Sequence, residues 1–136
     1  MSYGVSAALQ TAVYQVLIAD ATLGGLVGSD IYDAIPAGSV PPLYVALGPE
    51  LVNDKSDQTG SGAEHVFTVS VITQSAGFAQ AKLVAAAVSD ALVGADMTLG
   101  RGTLIALNFF RAKAARVGAA DERRIDLTFK ARVQDD

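Results

Sequence analysis

The chain contains one histidine, His65, and no cysteine, so nucleophilic or metal chemistry would have to be assembled around a single imidazole. Ser61, His65 and Asp57 are the residue types of a hydrolytic triad, in which the imidazole takes the serine proton and the carboxylate orients the imidazole. The flanking Gly60-Ser61-Gly62 lacks the G-x-S-x-G spacing that holds a nucleophile on a strained turn. The sequence therefore places His65 at the exposed start of a strand. Asp54, Ser56, Gln58 and Glu64 resemble an oxygen-ligand calcium loop, yet Thr59 stands where the sharp-turn glycine belongs and no bidentate acid falls at the twelfth position. Gly100-Arg101-Gly102 is too short for a dinucleotide fingerprint, and no G-x-x-x-x-G-K-[ST] run occurs. The expectation is a protein that is not an enzyme, with no catalytic, cofactor or metal residues.

Charge is distributed unevenly. Seven of the ten bases, Arg111, Lys113, Arg116, Arg123, Arg124, Lys130 and Arg132, fall in residues 111–136, which carry a net +2, whereas residues 1–110 carry a net −6. Three readings are open for this basic cluster: a solvated strand face with Asp121, Glu122 and Asp126 interleaved, pairing with acids of another subunit, or a phosphate-binding patch. The net charge of −4 and pI near 4.8 argue against nonspecific polyanion binding by the whole protein. Stacking aromatics for single strands are missing, because Phe109 and Phe129 sit in apolar alternation.

These side chains need elements to hold them. With 136 residues, 51% of them hydrophobic and 18% charged, the chain has room for one domain, 1–136, and the composition of a folded one. The apolar excess suggests that partner subunits cover part of its surface. Met1-Ser2-Tyr3-Gly4 has no basic leader region, and no run approaches the roughly 18 apolar residues of a membrane span, so cytoplasmic synthesis without a membrane partner is expected.

Leu9, Ala12, Val13, Val16 and Leu17 recur at helical spacing from Ser6, a plausible N-cap, to about Ala19. The glycines of Leu23-Gly24-Gly25-Leu26-Val27-Gly28 oppose an extension of this helix, and Ile31-Tyr32 reads as a short extended piece. Leu43–Leu47 is strand one, entered through Pro42. The polar run that follows predicts a loop of about fifteen residues, Gly48 to Gly62, long enough to require a functional reason. Strand two spans about Glu64–Thr73. Phe78, Ala81, Val84, Ala85, Val88 and Leu92 form the stripe of a second, alanine-rich helix that stops at Gly94. From Thr103 to about Arg116, Ile105, Leu107 and Phe109 alternate with Leu104, Ala106, Asn108 and Phe110, which predicts a strand with both faces at least partly covered. Arg124–Val133 alternates cleanly, with Ile125, Leu127, Phe129, Ala131 and Val133 inward. The expected fold is α+β, in the order α-β-β-α-β-β: a four-stranded mostly antiparallel sheet packed with two helices, and a long loop between strands one and two.

This layout resembles the tail completion, or tail terminator, family of long-tailed phages and gene transfer agents. The resemblance is carried by the helix Ala7–Ala19, Gly28-Ser29-Asp30-Ile31-Tyr32-Asp33, Pro41-Pro42-Leu43-Tyr44-Val45-Ala46-Leu47-Gly48, the alanine-rich helix and the closing Arg124-Ile125-Asp126-Leu127-Thr128-Phe129-Lys130-Ala131-Arg132-Val133. It covers essentially the whole chain. It implies a hexameric ring that caps the last ring of tail tube protein, stops tube growth and joins the tail to the filled head through a head-completion stopper. DNA would then pass through the lumen without specific binding, so most of the hairpin bases are expected to face neighbours or the outer surface. Synthesis in a bacterial cytoplasm and assembly into the neck of a phage-like particle are implied as well. Leu104, Ala106, Phe110, Arg124 and Arg132 are the expected ring interface, and Asp54, Lys55 and Asp57 in the loop are the expected partner contacts. The rival functions are a head-completion stopper in the same neck and a small soluble binding module.

Overall fold

The computed structural model describes residues 3–35, 37–57, 60–118 and 122–135. Three helices lie on one face of a five-stranded sheet. In chain order the elements are α1 (Ser6–Ala19), α2 (Ala21–Val27), β1 (Ile31–Tyr32), β2 (Leu43–Asp54), β3 (Ser61–Thr73), α3 (Ala79–Leu92), β4 (Thr103–Val117) and β5 (Glu122–Asp135). The strand order is β1-β2-β3-β5-β4. β1 runs parallel to β2, and the other three pairings are antiparallel.

The expected four strands and two helices are therefore corrected to five strands in a mixed sheet and three helices. The extra helix arises at Asp20. Its extended backbone (φ −73°, ψ 122°) ends α1, and its carboxylate accepts the Leu23 N–H at 2.9 Å, capping α2. This satisfies a donor that a helix start otherwise leaves open. Gly24 and Gly25 are carried inside α2 because Leu23 and Val27 bury their side chains in the core; packing outweighs glycine's poor helix propensity. Ser6 is not the N-cap of α1. Val5 holds that position without a side-chain bond.

The predicted fifteen-residue loop is a second correction. β2 continues past an irregularity between Leu47 and Glu50, and residues 50–54 pair with residues 63–67 of β3. The connection between the two strands is only residues 55–60 of the chain. Its base is tight: Lys55 N–H donates to Gly62 O at 2.8 Å, and a Cβ on Gly62 would stand 2.9 Å from Lys55 O, so glycine is needed there.

The core lies between the helices and the inward residues of β3 and β5. Val69, Val71, Phe129 and Ala131 are fully buried beneath Leu17, Ala81, Val84 and Val88. Phe67 and Phe129 are cross-strand partners with ring centroids 5.6 Å apart, and Phe109 meets Phe129 edge-on at 6.0 Å, both favourable arrangements of the ring quadrupoles. Gly102, at φ +74°, brings β4 against Val5 and Gln134 O, where a Cβ would stand 2.8 and 2.6 Å away.

Truncation of the central ring should be severe: Phe129→Ala is expected to cost about 3–5 kcal/mol, read as a lower urea midpoint. Asp20→Ala, which removes only the α2 cap, should cost about 1 kcal/mol in the same titration.

Candidate assembly surfaces

The helices leave two parts of the sheet uncovered. One is the face opposite them. Along β5, Ile125, Leu127, Phe129, Ala131 and Val133 are buried under the helices, and Arg124, Asp126, Thr128, Lys130 and Arg132 alternate onto the opposite face. Tyr44, Ala46 and Ile72 form a small apolar cluster there, flanked by Tyr32 and Val40. Beside it, Ser70 donates to Asp126 Oδ1 at 2.6 Å, Arg124 Nε donates to the same oxygen at 2.8 Å, and Arg124 Nη2 donates to Ser70 Oγ at 3.1 Å. Burial pushes the Asp126 pKa up. The bonds from Ser70 and Arg124, with the positive charges of Arg124 and Lys113, outweigh that and hold it below the ordinary aspartate value.

The second uncovered part is β4. The expectation that both its faces are at least partly covered holds for little of it: of its fifteen residues Leu107 is buried, Leu104 and Ala115 are half-buried and the rest are exposed. Two register shifts, between Leu104 and Ala106 and between Phe109 and Arg111, break the simple alternation. Leu104 consequently pairs with buried Val133 and packs on the main core. Ala106 pairs with Arg132 on the open face. Phe110 is the extra residue of the second shift. Its ring lies under Lys130 Nζ at 3.9 Å and Arg111 Cζ at 4.7 Å, cation–π contacts that lean it toward the open face.

The structure thus gathers Ala106, Phe110, Arg124 and Arg132 on one face and sets Leu104 apart from them. Of the seven hairpin bases, Arg116 and Arg123 fall on the helix side, where Arg123 donates to Ser75 O and lies over the Phe78 ring. The other five lie on the open face. Glu64 stands directly opposite Arg132, and Asp126 opposite Lys113. Of the hairpin-turn residues, Asp54 accepts from Ser56 N–H and Oγ, and Asp57 accepts from Gly60 N–H. These bonds shape the turn. Lys55 O accepts from Arg132 Nη2 at 3.5 Å, which ties the turn to the open face.

His65 is fully buried rather than exposed, because β3 begins earlier than its polar residues suggested. Its Nδ1 lies 3.1 Å from Glu50 Oε2, and a carboxylate acceptor requires that Nδ1 carry the proton. Glu50 Oε1 also accepts from Tyr3 Oη at 3.0 Å and Ser6 Oγ at 2.7 Å. No triad forms: Ser61 lies four residues up the same strand, about 13 Å away by strand rise. Glu50, Tyr3, the edge residues Leu51 and Ile105, and the Ser70–Asp126 pair were missed by sequence reasoning. The alternation of Glu50-Leu51-Val52 was the available signal, masked by Gly48-Pro49. Among the described residues no group of acids and histidine is placed to hold a metal, and no helix is long and apolar enough to cross a membrane.

Comparison with known proteins decides what these surfaces belong to. Residues 11–134 match the family described as tail completion protein gp17. The chain belongs to that family. It is a structural protein of the head–tail joining class. A solved structure titled "Virion of native gene transfer agent (GTA) particle" contains a chain that is 63% identical, with a TM-score of 0.93, over 98% of this chain and 99% of that one. No curated protein matches at a significant level.

The Glu50 cluster has a pH signature. Burial raises the Glu50 pKa, but the bonds from His65, Ser6 and Tyr3 outweigh it and hold the carboxyl below its ordinary 4.5. A depressed folded value means that this stabilisation is complete above the unfolded value and is lost as pH falls through the folded one. Glu50→Gln is therefore expected to melt below the parent at pH 7, with the difference shrinking below about pH 4.5; thermal denaturation across pH checks it.

Proposed function

We propose that six copies of this chain close into a ring that caps the last ring of tail tube protein, halts its growth and presents the surface that a head-completion stopper joins. The observation that carries this reading is the 63% identity, over 98% of the chain, to a component of a gene transfer agent virion. The family match supports it. The chain's place is then the neck of an assembled phage-like particle, and its role is mechanical rather than catalytic.

The surfaces suit that task. A ring needs two different patches on each subunit that meet around an axis. The open face supplies Ala106, Phe110, Arg124 and Arg132, and Leu104 backs the same strand from the core side. The connection between β2 and β3, where Asp54, Lys55 and Asp57 are exposed, serves as the contact to an adjoining ring. Six weak copies of such a contact act together through effective concentration. DNA passes through the lumen without a specific site, and most of the hairpin bases face neighbours or the outer surface. Asp126, opposite Lys113 and bonded to Arg124, and Glu64, opposite Arg132, offset part of the positive charge of the open face, which lowers its hold on phosphates.

Cryo-EM of particles that contain this chain should show six copies at the end of the tail tube; a single copy, or a position within the tube, would remove the reading. Phe110→Ala should leave the melting temperature within a few degrees of the parent. It should reduce particles with joined heads and tails roughly tenfold or more, since burial of a phenylalanine contributes about 1.5–3 kcal/mol.

A further inference from the structure

The sheet ends in two unlike open edges. On one side β4 pairs with β5 alone. Past its second register shift, the seven residues Arg111–Val117 run without a proline or further irregularity. They carry three bases, Arg111, Lys113 and Arg116, and no acid. Alanines 112, 114 and 115 keep this stretch slim. On the other side, β1 covers β2 only at Val45 and Ala46. Residues 50–54 pair with β3 alone, follow the bulge, and carry two acids, Glu50 and Asp54, and no base. Leu51 is 62% exposed there.

A bare strand edge presents a row of unpaired N–H and C=O groups, which proteins normally blunt with short strands, prolines or bulges. Here the bulges and Pro49 lie outside both stretches. β2 and β4 also run in opposite senses, since three antiparallel pairings separate them. A second copy related by rotation about an axis near the strand direction therefore meets β4 with an antiparallel β2, the geometry with perpendicular, well-formed hydrogen bonds.

We infer that Arg111–Val117 of one subunit adds as a strand to Glu50–Asp54 of the next, so that ring closure is made by backbone pairing between a basic edge and an acidic edge. The occupant of each edge is a second copy of this chain, and the inference rests on the ring reading above. Sheet faces stay continuous only if Lys113 and Ala115 share a face with Leu51 and Asn53. With the two sheets in phase, Ala115 stands opposite Leu51, Lys113 opposite Asn53 and Arg116 opposite Glu50.

The absence of cysteine makes the test clean. Four double variants, pairing Ala115→Cys or Lys113→Cys with Leu51→Cys or Asn53→Cys, span three registers that preserve the faces. Cross-strand Cα separations of about 4.5–5.5 Å fall within disulfide range. After mild oxidation of purified particles, at least one pair should give a ladder of cross-linked oligomers on non-reducing denaturing gels that collapses to monomer with reductant. Leu51→Cys combined with Leu83→Cys on α3 should give none. The same pairs oxidised in concentrated purified protein provide a readout if a variant is excluded from particles. Particles with six copies and no ladder from any pair would overturn the edge pairing and leave the ring intact. A copy number other than six would overturn the ring reading, whatever the gel shows.

Discussion

The structure depends on a mismatch of lengths. A fourteen-residue helix such as α1 or α3 is about 21 Å long, whereas a fifteen-residue strand such as β4 reaches about 50 Å. Two such helices and the seven-residue α2 cannot cover four strands of twelve to fifteen residues. They cover one face over β3 and β5, whose inward residues are buried from Ala63 to Thr73 and from Ile125 to Val133, and leave most of β4 exposed. The bare β4 edge follows from that shortfall, and the open face from the packing of all three helices on one side of the sheet.

What is covered is held firmly. The aromatic row from Phe67 through Phe129 to Phe109 crosses three strands, and its exposed end, Phe109, marks where helix cover runs out. At the other end of the same row, Glu50 stands opposite Phe67 and collects His65, Ser6 and Tyr3. This polar cluster fixes the residues before α1 to the distal half of β2. A carboxylate taken partly out of water keeps its charge only with such donors, so the half of β2 that looks like a loop in sequence is tied into the folded unit.

A tail completion chain has to remain folded as a subunit and yet have surface reserved for others. The division between a core under the helices and a sheet beyond them meets both demands. The open face is not simply sticky: Ser70, Arg124 and Asp126 satisfy one another, and Phe110 is shielded by Lys130 and Arg111.

The sequence determined the elements whose side chains alternate or recur without interruption. α1, α3, the start of β2, the later part of β3 and the body of β5 stand where their patterns put them, because burial on one face imposes its period on the residue types. The likeness to tail completion proteins was legible for the same reason, as an order of elements and turns. Tertiary structure decided the rest. Gly24 and Gly25 lie in a helix because Leu23 and Val27 find the core. His65 is buried because Glu50, fifteen residues away in the chain, reaches it across a strand pair that Gly48-Pro49 conceals. Leu104 and Phe110, which share a parity in the sequence, are separated by register shifts in β4: one joins the core and the other stays outside. A bulge reverses which face every later residue takes, and its position is set by contact with the neighbouring strand rather than by local propensity.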